Sequence, residues 1–430
     1  MISLRMTRIL PVAFVLILFF GIQEIAAYPK QDILDYEGDD ESGIREDSVV
    51  IEGWEFEDFD VKIPRFIHLK ENEINMNGAD WSGLKKRLAE HERVPFSIVH
   101  IGDSHLQADI STGYVRSQMQ FDYGDAGRGL VVPLRLSRTN EPVDYYFKSD
   151  NYWSPLKFMS AHWPRTMGFT GASLTTTSPQ ASINVGSRVT DSFSTFTDLS
   201  VFHSGEMKIN SVTLDDGTVL TSPTVDYANG SAGIVLPRPV GNVTINFTPG
   251  QNFMLFGAFM SGHRPGIFYN VIGNNGATYS SYNRVPEMGK GVSRLHPDLI
   301  IISLGTNEAF GRFDAARMID SIDRLVRELR RYNPSAEMLL VTPMECQRRS
   351  RKGYAINGNV KSVRDAIVMY GKDNRIPVYD WYKIAGGYRA SDKWIGEGLY
   401  GRDRIHHTVK GYKVQGFMLY EALTKVLNQK

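Results

Sequence analysis

The sequence predicts an α/β protein whose chain is interrupted by a β-sandwich of jelly-roll-like type. Three observations predict it. Continuous apolar runs such as Asp298–Leu304 alternate with amphipathic helical stretches near both ends of the chain, as expected of strands covered by helices on both faces. Residues 150–262 instead carry many short β-rich runs separated by turn residues, the pattern of a sandwich. A chain of 430 residues is also too long for one ordinary domain.

The elements follow in order. Arg5 and Arg8 precede an apolar run, Ile9–Gly21, and the small residues Ala26 and Ala27 come after it. This is the layout of a secretory signal peptide, expected over 1–27; the run is short for a membrane span. No Cys lies near Ala27, so no stable membrane anchor is expected beyond the signal peptide. Residues 28–60 read as an acidic flexible linker: 31–60 hold thirteen Asp or Glu against one basic residue, Arg45, a solvated composition without the ligand spacing of a calcium loop.

The first part of the α/β domain is expected over 61–149, with a helix near Trp81–His91, a strand Phe96–Ile101 and a helix from about Thr112 to Phe121. Within 150–262 the strand-like runs are Ala181–Val185, Leu199–His203, Met207–Leu214, Gly233–Leu236, Val243–Phe247 and Phe253–Phe259, with Asp216-Gly217 as a hairpin signal. The second part, 263–430, resumes the βαβ alternation. Asp314–Tyr332 is an amphipathic helix with Met318, Ile319, Ile322, Leu325, Val326 and Leu329 on one face, closed by Asn333-Pro334. Glu337–Thr342 and Ile376–Asp380 read as strands, and Val360–Tyr370 and Val409–Leu427 as helices.

Composition excludes several functions. Forty-eight basic residues balance 48 acidic ones, so a nucleic-acid partner is not expected. Cys346 is the only cysteine, which rules out an internal disulfide and a Cys-based zinc site; it is expected to be a packed apolar residue. A secreted chain without disulfides suits a bacterial envelope, periplasmic or secreted.

Four segments carry candidate chemistry. Gly102-Asp-Ser104 stands after a buried strand and before a helix, at the sheet edge where such folds bind ligands. Ser104 could be a nucleophile with helix N–H groups aimed at it, or merely a helix cap. Asp403 and His406 are three residues apart, a spacing that lets an acid orient a base. His407 is adjacent, so it should point elsewhere, and His105 beside Ser104 reads as a site-lining or structural residue. Asn307, in Gly305-Thr-Asn307-Glu308, and the backbone of Gly276, in Gly273-Asn-Asn-Gly276, are possible oxyanion donors, although Asn and Gly are also ordinary turn residues.

Taken in order, Ser104, Gly276, Asn307 and Asp403 with His406 resemble the SGNH/GDSL hydrolase family. The resemblance covers both α/β parts, about 93–149 and 263–430. It implies a flavodoxin-like α/β/α sandwich, a catalytic set of Ser104, Asp403 and His406, an oxyanion hole of Ser104, Gly276 and Asn307, and no cofactor or metal. A narrower likeness lies in Ile98-Val-His-Ile-Gly-Asp-Ser-His-Leu-Gln-Ala-Asp109, Phe121-Asp-Tyr-Gly-Asp-Ala-Gly-Arg-Gly129, Gly276-Ala-Thr-Tyr279 and Leu304-Gly-Thr-Asn-Glu-Ala309. These look like the bacterial peptidoglycan O-acetylesterases, which carry a carbohydrate-binding-module-like β domain inserted after the nucleophile block. The resemblance implies an acetylated glycan, peptidoglycan or another polysaccharide, as substrate. An acyltransferase on the same triad and a non-catalytic glycan-binding protein are the rival readings. The glycines of Gly124–Gly129 follow a predicted helix, not a strand, so a dinucleotide loop fails its context. Arg128 there is expected to touch a substrate carboxylate or to pair at the surface.

Overall fold

The computed structural model describes residues 61–429 apart from 190–193, 229 and 352; the expected signal peptide and acidic linker lie outside them. The α/β part opens with β1 (Ile74–Asn75), α1 (Ser82–Ala89), β2 (Phe96–Gly102), α2 (Ser104–Gln107) and α3 (Ile110–Tyr123). A β region follows: β3 (Gly129–Val131), β4 (Tyr145–Lys148), β5 (Ser154–Pro155), β6 (Leu174–Thr175), β7 (Ala181–Ser187), β8 (Phe196–Ser204), β9 (Met207–Leu214), β10 (Val219–Leu220), β11 (Val225–Ala228), β12 (Ser231–Val240), β13 (Asn242–Pro249) and β14 (Met254–Ser261). The chain then returns through β15 (Ile267–Gly273), α4 (Tyr279–Tyr282), α5 (Met288–Ser293), β16 (Leu299–Ser303), α6 (Ala315–Tyr332), β17 (Glu337–Val341), β18 (Gln347–Ser350), β19 (Gly353–Ile356), α7 (Asn359–Asp373), β20 (Val378–Tyr379), α8 (Trp381–Ile384), α9 (Ala390–Gly396) and α10 (Val409–Leu427).

The central sheet runs β1-β20-β17-β16-β2-β15. Its strands are parallel except β1, which pairs antiparallel with β20. Counting the parallel strands by chain position gives the order 2-1-3-4-5, the flavodoxin-like winding. All seven residues of β2 are buried, because helices cover both faces. Ile98 and Ile301 pack toward α3 and α10, whereas Val99, Ile101, Ile300 and Ile302 face α5, α6 and α7.

Local chemistry explains the helices that frame this sheet. Asp314 caps α6 by accepting from the N–H groups of Ala316 and Arg317 at 3.0 and 3.1 Å. Met318, Ile322, Leu325, Val326 and Leu329 are its buried face. Asn333 ends it, with Nδ2 donating to Leu329 O at 2.8 Å and to Gly289 O at 3.1 Å.

The β region forms two sheets, β10-β9-β13-β7-β4 and β11-β12-β8-β14-β6-β5, with β3 also pairing β14. Its pairing begins earlier than residue 150: β3 and β4 belong to these sheets. Both are short, and nothing in their sequence separates them from the α/β part. The insert shares one continuous hydrophobic cluster with a face of the central sheet. Phe169 sits against Gly291 of α5, where an added Cβ would meet Phe169 Cβ at 2.2 Å. No helix among the described residues is long and apolar enough to cross a membrane.

Candidate active site

Gly102 at the end of β2 is level with Gly273 of β15 on one side and Ser303 of β16 on the other. Ser104, Gly276 and Asn307 follow these three positions by two to four residues, so register alone brings their loops to one sheet edge. That edge, between β2 and β16, is where the winding reverses and where such folds bind ligands. Glycine is required at 102, because a Cβ there would lie 2.4 Å from Leu106 Cδ1 and 2.7 Å from Ser303 O.

Ser104 opens α2, a single turn, so its N–H has no partner in that turn. The longer helix, expected from about Thr112, begins at Ile110, six residues after Ser104. Asp103 precedes the turn and accepts from His105 N at 3.0 Å; burial pushes its carboxyl up to about 6. Asp103 also bonds the Thr306 side chain, tying this loop to the one that carries Asn307.

Asp403 and His406 come from the loop between α9 and α10, which closes on itself. Gly401 N donates to His406 O at 2.7 Å and Thr408 N to Leu399 O at 2.9 Å. Asp403 Oδ1 accepts from the N–H groups of Ile405 and His406 at 2.9 and 3.0 Å. Its Oδ2 is left for His406 Nδ1 at 2.6 Å, and His406 Nε2 lies 2.7 Å from Ser104 Oγ. Burial alone would raise the Asp403 carboxyl, but the His406 bond and the two backbone donors outweigh it and hold it below the usual range. An ionised Asp403 fixes the proton on Nδ1, so Nε2 is the acceptor facing Ser104.

His407 turns away, as adjacency predicts. It is buried among Tyr400, Trp394 and Tyr412, with ring centroids 4.7, 5.0 and 5.0 Å away, and burial pushes its pKa down to about 3. His105 lines the site, its ring 5.2 Å from that of His406 and its Nδ1 3.2 Å from Tyr412 Oη; burial holds it neutral, well below the usual histidine value.

Gly276 has φ +73°, a left-handed conformation that suits glycine. Asn307 Nδ2 donates to Ala277 O at 3.0 Å, which fixes the amide beside Gly276 and leaves it a second N–H. Glu308 braces the same loop by accepting from Tyr279 N at 2.8 Å. Gln107 accepts from Asn275 N at 2.8 Å. Neither role was read from the sequence, although both residues lie inside the quoted motif blocks.

Arg128 departs from both expectations. It neither faces this edge nor pairs at the surface, but lies inside, 2.7 Å from Asp109 and 2.5 Å from Asp144. Arg116 completes the quartet at 2.6 and 2.7 Å from the same two acids. Paired in this way, the charges escape the cost of burying a lone ion.

Residues 251–414 match the model of the GDSL-like lipase/acylhydrolase family. The match to a GDSL-like hydrolase domain is shown for that stretch of the chain. The matched stretch holds Gly276, Asn307, Asp403 and His406, and the fold brings Ser104 to them from outside it. The SGNH/GDSL hydrolase fold is also that of a solved structure described as "Peptidoglycan O-acetylesterase in action, 5 min". The two are 20% identical with a TM-score of 0.67, over 82% of this chain and 97% of that one. A lipase/acylhydrolase from Enterococcus faecalis is 20% identical, with a TM-score of 0.31 over 38% of this chain and 80% of its own. A GDSL-like lipase from Bacteroides thetaiotaomicron is 21% identical, with a TM-score of 0.30 over 37% and 76%. No curated protein matches the sequence.

Proposed function

We propose that this GDSL-like hydrolase is a secreted serine esterase that removes O-acetyl groups from a cell-envelope polysaccharide, most directly peptidoglycan. The observation that carries the reading is the unbroken relay from Asp403 Oδ2 through His406 to Ser104 Oγ, at 2.6 and 2.7 Å. Ser104 Oγ attacks the acetyl carbonyl as His406 Nε2 takes its proton, and Asp403 steadies the imidazolium. The N–H groups of Ser104 and Gly276 and the Asn307 amide hold the developing oxyanion. The sugar hydroxyl leaves with the proton from His406. Water, activated by the same base, then attacks the acetyl-enzyme, releasing acetate and restoring Ser104. No step calls for a cofactor or metal. The likeness in fold to a peptidoglycan O-acetylesterase and the signal-peptide pattern at 1–27 support the choice of substrate and compartment, in which no nucleic-acid partner is involved.

The test is acetate release from O-acetylated peptidoglycan and from an aryl acetate, with the chain and its Ser104→Ala variant. The variant should lose release from both. Turnover that survives the substitution would refute the nucleophile. Aryl acetate turnover with no release from the glycan would refute the substrate. Acetyl transfer to an added sugar acceptor would replace hydrolysis by transferase activity.

A further inference from the structure

A cavity of about 500 Å³ opens between the insert segment around residues 161–167 and the turn at Arg284 and Pro286 that follows α4. Its lining includes Trp163, Arg165 and Arg284 and contains no acidic residue. The walls are built from both parts of the molecule. Arg284 lies 4.2 Å above the Trp163 ring, and its Nη2 donates to the carbonyls of Ser160 and Ala161 at 2.7 and 3.1 Å. Trp163 Nε1 donates to Lys157 O at 3.2 Å. Arg165 donates to the Thr175 hydroxyl. Neither guanidinium has a carboxylate partner among the described residues.

The same segment reaches the catalytic edge. Met159, 44% exposed, packs against Gly276, its Cγ 3.0 Å from where a Cβ would stand. Arg165, the first positively charged lining residue, follows Met159 by six residues, at most roughly 20 Å of chain. That is within the reach of a few sugar rings along a polymer.

We propose that this cavity is a subsite for a carboxylate-bearing unit of the acetylated polymer, held by Arg165 and Arg284 while a neighbouring acetyl group lies at Ser104. The proposal rests on the glycan O-acetylesterase reading. Guanidinium groups are the side chains best matched to a carboxylate, two without internal counterions face one cavity, and no acid is present to repel the ligand. Contact with a remote unit orients the ester that reacts. The carboxylate can belong to a peptide carried by the glycan or to a uronic acid within its backbone.

The experiment compares kcat/KM on a peptide-bearing O-acetylated glycan, an O-acetylated uronate polymer and an aryl acetate, for the full chain and for Arg165→Ala, Arg165→Glu and Arg284→Ala. Each alanine variant should raise KM on a carboxylate-bearing polymer roughly fivefold, and Arg165→Glu should raise it more, so that the ratio of polymer to aryl acetate activity falls. A fall confined to the peptide-bearing glycan assigns the carboxylate to peptide; one confined to the uronate polymer assigns it to the sugar chain. An unchanged ratio overturns the subsite, as does an equal loss on polymer and aryl acetate. If the unaltered chain turns over only the aryl acetate, the esterase reading fails first and separately.

Discussion

Asp403 shows how much of this site rests on single atoms. One carboxylate oxygen is spent on two backbone N–H groups and the other on His406. Asp403→Asn keeps the shape but no longer fixes the Nδ1 proton, and kcat should fall by roughly 10³–10⁴ with little change in KM; steady-state kinetics checks this. Glu308 makes a prediction of the opposite electrical sign. Burial raises its carboxyl from 4.5 to about 7. Between those values the unfolded chain ionises Glu308 while the folded chain keeps it protonated, so this contribution is full below pH 4.5 and is lost as pH rises to 7. The Tm of Glu308→Gln should therefore decline less over that window than that of the parent; superimposable Tm–pH curves would refute it. The spacing of Asp403 and His406 was legible in sequence because both partners lie in one loop. The Arg116–Arg128–Asp109–Asp144 quartet was not, because its members meet only after α3 and β4 have packed.

At the level of elements, long periodic stretches were readable and short polar ones were not. The apolar face of α6 and the span of α10 follow from side-chain periodicity. The hairpin β18–β19 escaped notice, since Gln-Arg-Arg-Ser and Gly-Tyr-Ala-Ile alternate in no apolar pattern. It nevertheless braces the loop that carries Asp403 and His406. Gln347 N donates to Arg404 O at 3.0 Å, Arg404 Nη1 donates to Gln347 Oε1 at 2.8 Å, and the Arg404 guanidinium lies 4.3 Å over the Tyr354 ring. Arg404 has φ +60°, a conformation that its surroundings must hold. Tyr354→Ala should lower kcat roughly threefold at nearly constant KM, and Tyr354→Phe, which keeps the ring, should restore it.

For the molecule as a whole, the order of the central strands was implied by family resemblance, and the alternation of apolar runs supported it. How the insert docks could not be read, because docking depends on contacts between distant segments. Asn274 Nδ2, two residues before Gly276, donates to Thr170 O at 3.2 Å and to Tyr282 Oη at 3.0 Å, so the insert grips the loop of a proposed oxyanion donor. Phe169→Ala should cost about 3–5 kcal/mol, and calorimetry should record a single unfolding transition at a lower temperature, because the cluster is continuous across the two parts. Two separate transitions would contradict that.

The β2 strand has a consequence for how the protein is made. Its pairing partners, β15 and β16, are synthesised only after the whole insert, and His406 follows Ser104 by 302 residues. A ribosome therefore releases a strand that ends fully buried long before anything can cover its edges. Such late, non-local pairing slows folding and exposes the chain to aggregation. It also means that no partial product ending before His406 can bring Ser104, Asp403 and His406 together.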